Sequence, residues 1–328
     1  MPGKASRNLR RAATMLVLVT FFWGLSFPLI KIWQDTAMAR LDEPLLASLT
    51  LVAVRYLAGW ALMVLCFPRV LLRATAAEQF AGTILGATYF AASTLQVIGL
   101  AWTTPAMSAF LTSLGSLWVP VLDWLWRGKR ATREVWSGLV LGLAGTVVLA
   151  QPWAGWNRVA DVFGTGELLT VMASVLFAVQ ILQLDHYGQR LRPSYFTSGL
   201  LLTTAASAWI LTVALVHWST GWGEWLDTVG HAMLRLETVV CLALLVVFPT
   251  VSAFHLMNVY QPLLPPARAA LIYLLEPVFA SVLSAGLGLE RLTVPLLLGG
   301  ALILSGNVVA EWPRFRQAAH CTTDASCD

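Results

Sequence analysis

The sequence predicts an all-α integral membrane protein, with ten transmembrane helices arranged as two inverted five-helix repeats and both termini cytoplasmic. Three observations lead there. Of its 328 residues, 58% are apolar and only 12% charged, against about 25% charged in soluble domains. The apolar residues gather into ten runs of about 20 residues each, the length a helix needs to cross the hydrocarbon core. Finally, residues 105–148 recur without a gap as residues 266–309.

The first run, 12–33, follows Lys4, Arg7, Arg10 and Arg11 and precedes Ala37-Met38-Ala39, a pattern that mimics a secretory signal. Its length exceeds the usual h-region of about 7–15 residues, and it holds Gly24, Pro28 and Lys31, so it is read as a retained span. The second run, 44–67, contains Arg55. The third, 79–101, carries the small-xxx-small pair Gly82/Gly86, and the fourth, 105–126, carries Ser108, Thr112 and Ser116. The fifth, 134–151, has Gly138/Gly142; the sixth, 165–186, has Gln180 and Gln183; the seventh is 195–217. The eighth, 237–259, holds His255 and Asn258, and the ninth, 265–288, holds Tyr273 and Glu276. The tenth, 294–312, has Ala301/Ser305. Small pairs at this spacing let helices approach closely, here within the monomer in preference to a dimer contact. The intervening loops are too short for a soluble domain.

Lys and Arg set the orientation of such a chain. Fourteen fall in the segments 4–11, 69–73, 127–133, 190–192 and 314–316, whereas only Arg40, Arg158, Arg235 and Arg291 fall in the alternate ones. The first set is therefore cytoplasmic. The net charge of +4 reports topology and contact with anionic lipid, and gives no reason to expect nucleic acid. Of the four cysteines, Cys66 and Cys241 lie in spans and Cys321 and Cys327 in a cytoplasmic tail, so no disulfide is expected.

The repeat has an offset of 161 residues, and fourteen of its 44 positions are identical, including Pro105/Pro266, Arg130/Arg291, Thr132/Thr293, Gly138/Gly299 and Gly145/Gly306. Chance matching in so biased a composition gives roughly one position in ten, so the halves are duplicates. The fourth and ninth spans are an odd number of crossings apart. Their units must therefore run in opposite senses, the arrangement that places a substrate site at the midplane of secondary transporters.

The segment Trp23-Gly24-Leu25-Ser26-Phe27-Pro28 with Lys31, the span arginine Arg55, Gly166-Glu167, and Glu276-Pro277 followed by Gly288-Leu289-Glu290-Arg291-Leu292-Thr293 and a Gly-rich last span together resemble the drug/metabolite transporter superfamily, specifically its ten-helix EamA family. The resemblance implies a first EamA repeat over 1–151, an extracytoplasmic linker at 152–164, a second repeat over 165–312 and a disordered cytoplasmic tail at 313–328. Two positions depart from the family pattern. Lys129 stands where the first half usually has an acidic residue, and Gly115-Ser116 stands where a proline is frequent, which removes the reason to expect a kink there.

Polar side chains inside spans are costly and usually face a cavity or a partner helix. Tyr89, Ser93 and Gln96 share one face, at i, i+4 and i+7, as do Ser108, Thr112 and Ser116. With Trp23, Phe27, Gln180, His255, Asn258 and Tyr273 they define six helices bearing one polar or aromatic stripe apiece, and the resemblance implies that those helices surround the cavity. Each stripe also has a plain packing reading, since hydroxyls bond back to their own helix and amides bridge helices. Glu276 is read either as a coupling or ammonium-binding carboxylate or, slightly preferred, as a structural group that pairs with Arg55 or caps a broken helix. Glu290 is read as a turn or helix-start residue. Trp102, Trp153, Trp156, Trp218, Trp222, Trp225 and Trp312 sit near span ends, where indole anchors at the interface.

A phosphate ester would want two or more cations facing the cavity, and Lys31, Arg55 and Arg268 lie near span ends or belong to the scaffold in the resembled family. The stripes suit a small polar or zwitterionic metabolite, amino acids first, and the resemblance implies export. Other amphipathic metabolites or drugs, and phosphorylated or nucleotide sugars, remain as alternatives. An intramembrane enzyme is a remote one, because no nucleophile–base or paired-carboxylate motif is present. No metal-ligand spacing occurs, so neither metal nor cofactor is expected. The expected partners are the small-molecule substrate and membrane lipids, with the chain a monomer or weak homodimer.

Overall fold

The computed structural model describes residues 2–37, 43–128, 132–150, 164–188, 190–264 and 272–321, and among them there is no strand. Helices α1 (Pro2–Ala37), α2 (Pro44–Cys66), α3 (Pro68–Leu72), α4 (Ala76–Ala101), α5 (Pro105–Ser113), α6 (Gly115–Arg127) and α7 (Arg133–Ala150) make the first half. Helices α8 (Thr165–Gly188), α9 (Pro193–Leu215), α10 (Trp222–Leu234), α11 (Leu236–Leu245), α12 (Ala253–Tyr260), α13 (Glu276–Gly286) and α14 (Val294–Cys321) make the second. Wide π-helical turns at Val216–Thr220 and Val246–Ser252 extend α9 and join α11 to α12.

Seven helical stretches are long and apolar enough to cross a membrane: Leu9–Thr36, Pro44–Cys66, Ala76–Ala101, Pro105–Trp126, Thr165–Gly188, Tyr195–Ser219 and Leu236–Tyr260. The protein is thus a multi-pass membrane protein. The other three predicted runs are also helical, but in the described residues they are shorter. The fifth is the 18-residue α7, the ninth is described only from residue 272, and the apolar part of the tenth is Val294–Val309. Helix α14 continues to Cys321, which corrects the disordered reading of the first part of the tail. The predicted linker 152–164, all but its last residue, lies outside the described residues, as do Trp153 and Trp156 within it, Lys129, Arg130 and Arg268.

Local chemistry sets the helix starts. Thr75 and Glu78 form a reciprocal capping box at α4: Glu78 N–H donates to Thr75 Oγ1 at 3.3 Å, and Thr75 N–H donates to Glu78 Oε2 at 2.8 Å. The buried Glu78 carboxylate also receives Arg192 in a two-point fork, Nε at 2.7 Å and Nη2 at 2.9 Å. Arg192 Nη2 reaches the Arg73 carbonyl at 3.0 Å as well, so one guanidinium ties the loop before α4 to the start of α9.

Helix α10 fills the segment between the seventh and eighth predicted runs. It buries Trp225, whose indole donates to Thr50 Oγ1 at 3.1 Å, so Trp225 is a packing residue and no interface anchor. Trp102, Trp218, Trp222 and Trp312 are exposed, as the interface reading requires.

The helices are drawn together by glycines whose missing Cβ leaves room for a neighbour's backbone. A Cβ on Gly145 would lie 2.6 Å from the Gly299 carbonyl, and one on Gly306 would lie 2.5 Å from the Gly138 carbonyl. The pairs 145·299 and 138·306 progress in opposite directions, so α7 and α14 run antiparallel. They are also repeat-equivalent, so each helix offers the other the same surface. Gly82 and Gly86 meet Phe196, Gly199 and Leu200 of α9, so this small-residue pair is used inside the chain.

Candidate functional site

Both repeat-equivalent helices break at the same place. The fourth span is interrupted at Leu114, between α5 and α6, and the ninth turns at Leu274–Leu275 before α13. Leu114 and Leu275 are an identical pair of the repeat. Glycine-serine therefore interrupts its helix as Glu276-Pro277 does, which corrects the expectation that Gly115-Ser116 removes the kink. Each break rests on a small residue across the interface. A Cβ on Gly24 would lie 3.0 Å from the Glu276 carbonyl, and one on Gly115 would lie 3.1 Å from the Ser174 carbonyl. Thus α1 crosses α13 as α8 crosses the α5–α6 break.

Between the two breaks lies a cavity of about 230 Å³. Trp23, Phe27, Tyr89, Ser93, Gln96, Thr112, Gln180, Tyr273 and Glu276, all named from sequence, line it together. Aromatic rings make one continuous wall. Trp23 packs on Tyr273 at 5.4 Å and on Phe254 at 6.5 Å; Tyr89 packs on Phe254 at 5.3 Å, on Phe177 at 5.9 Å and on Tyr56 at 5.5 Å. The Tyr56 and Tyr89 hydroxyls are 2.6 Å apart, and the Tyr273 hydroxyl donates to Gln261 Oε1 at 2.8 Å. The Gln96 amide donates to Thr112 Oγ1 at 2.9 Å, while Thr112 Oγ1 donates back to the Ser108 carbonyl at 2.8 Å. Thr112 thus faces the cavity and bonds back to its own helix. Ser108 is fully buried away from the cavity.

Two predicted residues lie elsewhere. His255 stacks on Phe67, ring centroids 4.6 Å apart and 12° from parallel, and Asn258 donates to Thr197. Neither lines the cavity; Phe254, Met257 and Gln261 do so instead. The π-helical turn just before α12 contains Pro249, which has no N–H, and Thr250 Oγ1 there donates five residues back to the Leu245 carbonyl at 2.8 Å. One residue is about 100° of helical rotation, and the lining set lies one position before the polar pair.

Arg55 was placed with the scaffold from sequence, yet it lines the cavity. Its Nε donates to Thr250 Oγ1 at 2.8 Å, and its guanidinium lies 5.1 Å from the Tyr56 ring centroid. Arg55 and Glu276 form no ion pair, so the predicted pairing is not made. Glu276 instead opens α13, where the helix dipole favours its negative charge. The sequence signal that could have placed Arg55 was its cost, because an arginine eleven residues inside an apolar run must face something polar.

Outside the cavity, Lys31 Nζ donates to the Ala101 carbonyl at 3.2 Å and to the Leu100 carbonyl at 3.4 Å, at the end of α4. Glu290 Oε1 accepts from the Ala106 N–H at 3.0 Å; it is indeed a helix-start group, for α5 across the fold. Burial pushes the Glu290 carboxyl above its ordinary range. Among the described residues no three His, Cys, Asp or Glu side chains are grouped to hold a metal.

The pattern of the EamA-like transporter family matches residues 10–151 and again 164–311. An uncharacterized transporter of Archaeoglobus fulgidus is 26% identical over 298 residues, covering 90% of this chain and 84% of its own length. The uncharacterized transporter YvbV of Bacillus subtilis is 27% identical over 283 residues, covering 84% and 87% respectively. A solved protein structure shares the fold at a TM-score of 0.58 and 19% identity, over 93% of this chain and 99% of the other.

Proposed function

Because the chain belongs to the EamA-like transporter family, we propose that it exports small polar or zwitterionic metabolites, amino acids first, across the cytoplasmic membrane by alternating access. The observation that carries this reading is the cavity itself, enclosed by residues of both family-matched halves at two repeat-equivalent helix breaks. Its volume of about 230 Å³ falls below the roughly 300–1,000 Å³ of drug-sized pockets. Rings, amides and hydroxyls dominate its wall, with a single arginine opposed by a carboxylate, which suits a small molecule of balanced charge better than a phosphate ester.

Inversion of the halves supplies the motion. The antiparallel, reciprocal seam of α7 and α14 supports a two-fold relation in the membrane plane, and halves so related can exchange conformations to open the site to either side. The chain works as a monomer or weak homodimer: Gly82/Gly86 and Gly138/Gly142 pack against its own helices, while Ala301/Ser305 stays exposed.

Counterflow tests the reading. Proteoliposomes loaded with unlabelled leucine should accumulate labelled leucine transiently, and protein-free vesicles should not. Exchange confined to phosphate esters would overturn it.

A further inference from the structure

We infer that Arg55 and Glu276 are the two poles of a zwitterion site: Arg55 receives a carboxylate, Glu276 receives an ammonium, and the aromatic wall between them takes the body of the substrate. The inference rests on the transport reading above and names the charge pattern its cavity selects.

Both groups line the same cavity, and they do not bond to each other. Arg55 commits its Nε to Thr250 Oγ1 at 2.8 Å, and no described residue takes its two terminal nitrogens. Held by Nε, the guanidinium is fixed in orientation and keeps the planar donors that match a carboxylate. Glu276 accepts no hydrogen bond from any described residue. Buried charges normally pair, so two opposite charges left apart in one cavity call for a ligand with a charge of each sign.

The aromatic wall of the cavity they share fits that ligand. Tyr56, Tyr89, Trp23 and Tyr273 line the same cavity as Arg55 and Glu276. The Tyr56–Tyr89 hydroxyl pair adjoins the arginine end. Trp23 and Tyr273, with centroids 5.4 Å apart, adjoin the carboxylate end, where their faces add cation–π attraction for an ammonium. The repeat gives this polarity to one half only, because Glu276 stands where the first half has Gly115. A substrate is therefore held in one orientation however the halves move.

Binding of three probes to the purified protein in detergent tests the assignment: leucine, leucinamide, which lacks the carboxylate, and 4-methylpentanoate, which lacks the ammonium. The native protein should bind leucine at least about tenfold more tightly than either analogue, as expected where a charged partner would be left unpaired. Arg55→Gln should lose that preference over leucinamide while still rejecting 4-methylpentanoate. Glu276→Gln should show the reverse pattern, and Arg55→Lys, which keeps the charge, should retain part of the leucine preference. Ligand-free unfolding midpoints show whether each variant folds, and where Arg55→Gln does not fold, the Glu276→Gln pattern decides. Uniform weakening of all three probes, or equal native affinity for leucine and its analogues, overturns the two-pole assignment while counterflow of leucine leaves the transport reading standing. Failure of the native protein both to bind and to exchange leucine overturns both.

Discussion

Replacing Gly145 by alanine isolates the contact that joins the two halves. Its Cβ would lie 2.6 Å from the Gly299 carbonyl oxygen and 3.0 Å from the Ile303 nitrogen. Ordinary contact begins near 3.4 Å, so the shortfall is 3.4 − 2.6 = 0.8 Å, and it is against backbone that cannot rotate aside. Overpacking of this kind costs about 1–3 kcal/mol, offset by at most about 1 kcal/mol from alanine's better helix propensity. The net loss should therefore lie between zero and about 3 kcal/mol. Gly306→Ala makes the equivalent clash with the Gly138 carbonyl at 2.5 Å, and separating α7 from α14 relieves both. The double variant should therefore lose less than the sum of the singles, with a coupling of at least about 0.5 kcal/mol. Gly230 in α10 has nothing within 4 Å of its built Cβ, so Gly230→Ala should gain about 0.5–1 kcal/mol instead. Unfolding in detergent micelles measures all four proteins. If Gly145→Ala gains stability as Gly230→Ala does, the reciprocal seam is wrong.

Other perturbations separate binding residues from packing residues. His255→Phe keeps the stack on Phe67 and leaves the cavity untouched, so leucine counterflow should be unchanged; a tenfold loss would return His255 to the site. Arg192→Ala removes the fork to Glu78 and strands a buried carboxylate, so its unfolding midpoint should drop clearly further than that of Arg190→Ala, and equal midpoints would dismiss the clamp. The Glu290 carboxyl titrates above its unfolded value because it is buried. Its contribution to stability is therefore present at low pH and lost as pH rises through the folded value. Glu290→Gln keeps an acceptor for the Ala106 N–H without titrating, so the native protein should lose stability relative to it between acid and neutral pH. A flat difference across that range would contradict the shift.

Much of this architecture is legible in one chain because lipid makes span length and composition decisive, and because an ungapped repeat betrays duplication. The stripe Tyr89-Ser93-Gln96 could be placed on one face because α4 is a regular helix, in which i, i+4 and i+7 stay together. His255 and Asn258 obey the same spacing, but the π-helical turn before them alters the phase of α12 relative to α11, and no pattern of polar letters shows on which side a uniformly apolar helix will be read. Trp225 failed for a related reason. Its place near a span end suggested the interface, but α10 folds back and gives its indole a hydroxyl partner in Thr50. Arg55 shares its place with the arginine of the resembled family, but its position in the cavity and the partners of its donors depend on three-dimensional neighbours that sequence likeness does not show.

Symmetry and asymmetry divide the labour in this fold. Where the halves agree, at Leu114/Leu275, Gly138/Gly299 and Gly145/Gly306, the residues set helix breaks and close approaches, which must serve both halves alike. Where they differ, at Thr112/Tyr273 and Gly115/Glu276, the residues line the cavity. Under the alternating-access proposal, a frame of equivalent contacts would allow two arrangements of comparable energy, since the packing lost at one end would be regained at the other. Placing the same charge on both halves would spoil the site, because two carboxylates against the one arginine leave a net negative cavity, which holds a monocation better than a zwitterion. Substituting glutamate for Gly115 should therefore shift selectivity toward a monocation such as leucinamide, with binding of leucine falling in the same protein. If Gly115→Glu folds and keeps the native preference for leucine, the cavity does not select by the balance of charge between its two halves.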